Sequence, residues 1–148
     1  METKIDGIHT AKSLYEGLWE LYEGKTCKRY STGFKDLDPI MQLVKPSFIL
    51  MTGTPNCGKS SLTYDIIMKT AKEHGFKYMI YSPEHSLAVN LKRLIEKFVR
   101  KPFDAMFENR CTIDEVQEAV SFIDEHFYFI DKQGDSPNID WILERARY

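Results

Sequence analysis

The sequence lacks three features that would quickly assign it to a class: paired cysteines, a strong charge of one sign and a long hydrophobic run. Its three cysteines, Cys27, Cys57 and Cys111, are odd in number and form no CxxC pair. This argues against a disulfide framework and favours a reducing cytoplasm. With 20 basic and 22 acidic residues the net charge is −2, so charge alone gives no argument for nucleic-acid binding. The apolar runs fall well short of the roughly 20 residues that span a membrane, and the N-terminus has no signal-peptide pattern. We therefore expect an intracellular protein that does not enter a membrane.

Apolar periodicity predicts short strands that alternate with helices along most of the chain. A length of 148 residues points to one domain, and the alternation predicts an α/β fold with a parallel sheet covered by helices on both faces. The predicted elements are a loose tail at 1–8, a helix at 9–24, a buried strand at 47–51, a helix at 59–74 ended by Gly75, a strand at 76–81, a helix at 86–100, a helix capped by Thr112 and Glu115, a strand at 127–130 and a helix at 138–147. The later helices are expected to turn inward Leu87, Leu91, Leu94, Ile95 and Phe98; Ile113, Val116, Val120 and Ile123; and Ile139, Ile142, Leu143 and Ala146.

The strongest motif is a complete GxxxxGK[ST] phosphate loop between the strand 47–51 and the helix 59–74. It consists of Gly53, Thr54, Pro55, Asn56, Cys57, Gly58, Lys59 and Ser60, and Ser61 follows it in the first turn of the helix. The glycines allow the backbone to curl so that its amides face phosphate oxygens, and the helix adds the positive end of its dipole. Lys59 is expected to contact the β- and γ-phosphates, and the Ser60 hydroxyl to ligate Mg²⁺. The pattern predicts binding of ATP or another nucleoside triphosphate with magnesium; a glycine turn that merely precedes a helix is the weaker alternative.

Three residues in or near this motif have alternative interpretations. Cys57 inside the loop suits a redox switch, but a small residue that fits a tight backbone is the simpler explanation. Glu84 follows the strand 76–81, and the carboxyl ends of parallel strands face one crevice. Glu84 can therefore activate the water that attacks the γ-phosphate, or it can simply favour the dipole of the helix 86–100. The spacing of the residues alone favours neither of these two roles over the other. His85 is either a γ-phosphate sensor or an ordinary polar loop residue.

Four stretches in order resemble the Twinkle and DnaB-like hexameric replicative helicases, including the helicase half of phage primase-helicases. They are Ser31-Thr32-Gly33 through Leu37-Asp38, similar to the start of the family's ATPase core; the loop Met51–Ser60; Tyr81-Ser82-Pro83-Glu84 at a strand end; and Glu96-Lys97 through Lys101-Pro102-Phe103. The phosphate loop by itself is specific only to a very broad class. The ordered combination is much more specific, and the likeness runs from about residue 9 to the end.

The resemblance implies an α/β RecA-like P-loop NTPase fold, a parallel sheet with flanking helices that is incomplete at the C-terminus and is preceded by a linker helix. Residues 1–30 would be a tail and linker helix, and residues 31–148 the first part of the ATPase core. By the same resemblance Glu84 and Lys59 are catalytic, Ser60 binds Mg²⁺, and the cofactors are ATP (or another NTP) and Mg²⁺. The parent protein would be a hexamer that acts on single-stranded DNA in a bacterial or phage-infected cytoplasm. The helix 9–24 either docks on a neighbouring subunit or lies on its own core.

Other family features have no match in the chain. The second acidic motif, the DNA-binding loops and the arginine finger are expected beyond Tyr148. Asp131, after the strand 127–130, is interpreted as structural or as a strand-end residue, and a metal ligand is the weaker alternative. Arg93, Arg100, Arg110, Arg145 and Arg147 are interpreted as surface residues. A sheet without its later strands exposes an edge, so we expect marginal stability alone, or association that covers the edge.

Three functions remain open on the sequence. The first is the NTP-hydrolysing part of a replicative DNA helicase. The second is a non-enzymatic ATP-binding assembly module. The third is a small P-loop kinase, for which the sequence offers neither an arginine-rich lid nor an acceptor pocket.

Overall fold

A computed structural model describes residues 7–25, 28–131 and 137–147 of the chain. Most of the predicted tail at 1–8, together with Cys27 and Tyr148, lies outside the described residues. Within the described ranges, no helix is both long and apolar enough to cross a membrane.

The N-terminal segment forms a 3₁₀ turn, Ala11–Leu14, that continues into helix α1, Tyr15–Tyr22. Thr10 and Ser13 cap the turn reciprocally, because each side chain bonds to the backbone amide of the other. No residue of α1 is buried. The predicted helix at 9–24 is therefore present in shorter form, and its apolar side chains do not pack into the core of the described chain.

A small antiparallel pair follows, made of β1, Arg29–Tyr30, and β2, Leu43–Val44. The loop between them is fixed by Asp38, whose carboxylate accepts bonds from the Ser31 hydroxyl at 2.6 Å and from the Thr32 amide and hydroxyl at 2.7 Å. These bonds hold the pKa of Asp38 below its ordinary value. The 31–38 stretch thus has a structural role in closing this loop.

Helix α2, Lys59–His74, starts with the last two residues of the phosphate loop and ends at Gly75, which is left-handed with φ 65°. Two of its side chains hold the 31–38 loop: Lys69 Nζ donates to the Gly33 carbonyl at 2.7 Å, and His74 Nε2 lies 3.0 Å from the Ser31 carbonyl oxygen. Strand β3, Tyr78–Tyr81, follows.

Helix α3, Leu87–Val99, is capped by the Ser86 hydroxyl and ends at Arg100, which is left-handed with φ 62°. Helix α4, Ile113–His126, has the predicted capping box between Thr112 and Glu115. Strand β4, Phe127–Ile130, and helix α5, Ile139–Ala146, complete the described chain.

Strands β3 and β4 pair in parallel, with Tyr78 opposite Phe127 and Tyr81 opposite Ile130. The core joins α2, α3, α4 and β4, and includes Met68, Leu94, Ala119, Ile123 and Phe127. The α/β class and the parallel pairing are as predicted, although the parallel sheet has only these two strands within the described residues.

The prediction of a buried strand at 47–51 is wrong. These residues form no strand in the structure, and Phe48 and Leu50 are 87% and 74% exposed. A strand is stabilised by the backbone partners beside it, and the described strands pair only as β1 with β2 and β3 with β4. An apolar run without a neighbouring strand therefore stays irregular.

The prediction of which helix residues face inward is confirmed in part. Leu94, Ile95 and Ile123 are buried as predicted. Leu87, Ile113, Val120, Ile139 and Leu143 are exposed, and α5 has no buried residue. Helical spacing identifies an apolar stripe, but each part of that stripe is buried only where another element covers it.

Candidate nucleotide-binding site

The phosphate loop closes on its own lysine. Lys59 Nζ donates to the carbonyl oxygens of Gly53 and Thr54 at 2.9 and 2.8 Å, and lies 3.7 Å from Cys57 Sγ. Asn56 has φ 61° and Gly58, the N-cap of α2, has φ 90°. The ammonium is thus held at the centre of the curled backbone, where its present partners are neutral oxygens.

The loop is tightly curled at its first residue. A Cβ at Gly53 would lie 2.9 Å from Cys57 Sγ and 3.6 Å from Lys59 Cδ, so a side chain here would require the exposed Cys57 thiol to move. The residues from Met51 to Gly58 are exposed, so a ligand has access to them.

A cavity of about 320 Å³ lies beside the loop and brings together two predicted site residues from separate segments. Ser60 lines it from the first turn of α2, and Glu84 lines it from beyond the end of β3. The other lining residues are Thr63, Tyr64 and Ile67 of α2, Tyr78–Tyr81 of β3, and Ser82, His85 and Arg93. The cavity therefore lies between the helix that carries the phosphate loop and the carboxyl end of a parallel strand.

A buried hydrogen bond fixes α2 against α3 at this cavity. The Tyr64 hydroxyl donates to Asn90 Oδ1 at 2.7 Å, and Asn90 Nδ2 contacts the His85 carbonyl oxygen at 3.4 Å. Tyr64 and Asn90 are 7% and 1% exposed, and burial raises the pKa of the Tyr64 phenol. The geometry of the cavity thus depends on a polar contact between two otherwise apolar helix faces.

A second link joins the same helices near their surface. Lys97 Nζ donates to Ser61 Oγ at 2.8 Å and to Asp65 Oδ2 at 2.7 Å. Ser61, predicted to bind nucleotide, is therefore engaged with α3 and is absent from the cavity lining.

Glu84 lies outside the first turn of α3. Ser86 is the N-cap, its hydroxyl accepts from the Val89 amide at 3.4 Å, and the first turn contains no acidic residue. The interaction of a side chain with a helix dipole falls off within one turn. Glu84 therefore lies too far from α3 to interact strongly with its dipole, and its exposed side chain lines the cavity instead.

The loop and cavity suit a hydrated Mg²⁺ better than a metal held wholly by protein. Within the described residues, no group of three or more His, Cys, Asp and Glu side chains could hold an ion. Magnesium usually takes one or two protein ligands, and phosphates and water complete its shell. The exposed Ser60 hydroxyl fits such a role. Asp131 directly follows β4 at the same edge of the sheet as Tyr81 and is exposed, as expected for a strand-end residue.

Sequence reasoning missed Tyr64 and Asn90 and misplaced Arg93. Arg93 lines the cavity and is half-buried, so its interpretation as a surface residue is wrong. The signal was available, since Asn90 and Arg93 are three residues apart on α3, the helix that follows Glu84. Arg100, Arg110, Arg145 and Arg147 are exposed, as predicted.

Comparison with known proteins identifies the class to which this fold and loop belong. The family model of the DnaB-like helicase C-terminal domain matches residues 30–147. The chain therefore belongs to the DnaB-like helicase family, as the four sequence stretches predicted.

One similar protein is the Twinkle homolog protein, chloroplastic/mitochondrial, of Arabidopsis thaliana, which is 31% identical over 150 residues. The alignment covers 97% of this chain and 21% of the relative, so the chain spans about a fifth of the relative's length. The likeness to Twinkle is thereby confirmed. The expectation of a bacterial or phage cytoplasm is wrong, because this relative is named as a plant protein of chloroplasts and mitochondria. No solved structure gave a significant match.

Proposed function

We propose that this chain is the nucleotide-binding and nucleotide-hydrolysing part of a hexameric replicative DNA helicase with a RecA-like ATPase core. The observation that carries the proposal is the cavity that unites Ser60, beside the phosphate loop, with Glu84 at the end of β3. Ser60 is the expected Mg²⁺ ligand, and a carboxylate on the same cavity can act on the attacking water; both are among the parts that phosphoryl transfer uses. Membership of the helicase family supplies the DNA substrate and the motor context.

Lys59 is the expected contact for the β- and γ-phosphates. Its ammonium now bonds two neutral backbone carbonyls, and an anionic phosphate oxygen adds Coulomb attraction that a carbonyl lacks. Binding of ATP therefore exchanges these partners for phosphate oxygens, while the loop amides and the start of α2 add further donors. When bound, Mg²⁺ supplies charge neutralisation between the phosphates, with Ser60 as its protein ligand.

Glu84 is the proposed general base. Its exposed carboxylate accepts the proton of a water whose oxygen forms the new bond to the γ-phosphorus, while the bond from that phosphorus to the β–γ bridging oxygen breaks. The products are ADP and inorganic phosphate. A Gln at this position keeps the size of the side chain and loses the basic oxygen.

Helix α1 is the proposed contact with a second copy of the chain. Its apolar side chains are exposed, with Leu18 60%, Trp19 49% and Leu21 61% accessible, and Trp19 stacks between Tyr15 and Tyr22 at 6.1 and 5.1 Å. A helix that presents leucines and aromatic rings without burying them is typical of an interface. Assembly through α1 supports the hexamer implied by the family.

A non-enzymatic ATP-binding module is the second candidate. Two observations favour it: the phosphate loop is complete, and the exposed apolar side chains of α1 offer a surface for assembly. Such a module would bind ATP through the same loop and use it for assembly, without turnover.

The two candidates separate in an assay of ATP hydrolysis with and without single-stranded DNA. We expect turnover that DNA stimulates and that Glu84→Gln lowers by at least roughly a hundredfold, the usual worth of a positioned general base. Glu73→Gln, on the far end of α2, is the matched control. Binding of ATP without turnover in either protein would support the module and contradict the motor.

A further inference from the structure

Arg93 is unusual among the basic residues of α3. Lys92 pairs with Asp104 at 2.6 Å and Lys97 pairs with Asp65 at 2.7 Å. Arg93 lies between them, is half-buried, and has no carboxylate within ion-pair distance among the described residues. Its guanidinium lies 5.9 Å from the centre of the Tyr64 ring, on the cavity that Ser60 and Glu84 also line.

Moving a cation partly out of water costs free energy unless a partner compensates its charge. Tyr64 compensates only in part, because its hydroxyl and its ring are neutral groups. Glu84 lines the same cavity but does not pair with Arg93. Among the described residues, the cavity therefore presents a cation without an anionic partner, and a bound anion could supply one.

From this arrangement we propose that Arg93 binds the terminal phosphate of the nucleotide. The inference rests on the proposed function. Lys59 is expected at the β- and γ-phosphates, and Arg93 shares the cavity with Glu84, the carboxylate assigned to the attacking water. The phosphate that meets both Arg93 and Glu84 is the one that water attacks, which is the γ-phosphate.

Guanidinium is well suited to this contact because its planar fork donates two parallel bonds to phosphate oxygens. The approach of the guanidinium to Tyr64, 5.9 Å from the ring centre, and the packing of α3 on α2 position the fork before the nucleotide arrives. ADP has no γ-phosphate and leaves Arg93 without this partner. Arg93 therefore makes the site discriminate between ATP and ADP.

Calorimetric titration with a non-hydrolysable ATP analogue and with ADP, both with Mg²⁺, tests this assignment on the full 148-residue chain. We expect Arg93→Gln to weaken the ATP analogue by roughly tenfold to a hundredfold, the worth of a charge-assisted hydrogen bond. The affinity for ADP should change less than about twofold. Arg93→Lys keeps the charge and should recover part of the loss.

Arg100→Gln is the matched control, since Arg100 is exposed at the end of the same helix and its loss should leave both affinities unchanged. Equal weakening of the ATP analogue and ADP by Arg93→Gln would indicate a structural role and overturn the assignment, as would no weakening at all. Absence of ATP binding by the unmodified chain would instead refute the proposed function, so the two failures are distinguishable.

Discussion

Removal of the Tyr64 hydroxyl tests how much the hydrogen bond between Tyr64 and Asn90, which joins α2 to α3 at the proposed nucleotide cavity, stabilises the fold. In Tyr64→Phe the ring remains, but Asn90 Oδ1, in a residue only 1% exposed, loses the donor that lies 2.7 Å away. A buried acceptor left without a partner costs about 1–3 kcal/mol. At about 4 °C per kcal/mol for a chain of this length, the midpoint of thermal unfolding should fall by roughly 4–12 °C.

The pair of residues provides its own control. Asn90→Leu removes the acceptor and should also destabilise the chain, because Tyr64 then keeps a buried hydroxyl without its partner. In the double variant both polar groups are gone, so its loss should be smaller than the sum of the single losses. Unfolding in urea, followed by circular dichroism, measures all four proteins. A Tyr64→Phe variant as stable as the parent, or losses that simply add, would refute the bond.

Further substitutions test other parts of the fold. Gly33→Ala should destabilise by at least about 2 kcal/mol in urea, because φ is +79° and the new Cβ would lie 2.6 Å from Lys69 Cβ; wild-type stability would refute this. The lowered pKa of Asp38 contributes stability that is complete above its ordinary value of 3.8 and is lost as the pH falls below it. Asp38→Asn should therefore be less stable at pH 7, and the gap to the parent should narrow in acid; a constant gap would contradict the assignment. Leu18→Asp should dissociate any oligomer in sedimentation, and an unchanged assembly would exclude α1 as the contact. Thr112→Ala should cost about 1 kcal/mol of unfolding free energy and Thr112→Ser much less; equal losses would argue against the cap.

Much of the local structure was predictable because it depends on short-range chemistry. The phosphate loop, the start of α2 at Lys59, its end at Gly75 and the capping box at Thr112 follow from residues within one or two turns. The family followed from four motifs in order. These features need no knowledge of what lies across the fold.

The errors arose where the outcome depends on distant partners. The run at 47–51 has strand composition, but no described strand pairs with it. Arginine side chains usually lie on the surface, so the sequence alone favoured an exposed Arg93. The packing of α3 against α2 instead brings Arg93 to the cavity. Helical spacing could place Asn90 and Arg93 on one face, but could not indicate that Tyr64 would meet that face.

Magnesium-dependent binding of ATP tests the central claim most directly. Calorimetry on the full chain should show ATP binding with Mg²⁺, its loss in Lys59→Ala, and no change in Lys77→Ala, which removes a lysine that does not line the cavity. Equal binding by the Lys59→Ala variant, or no binding by the unmodified chain, would contradict the assignment of this loop and cavity as a nucleotide site.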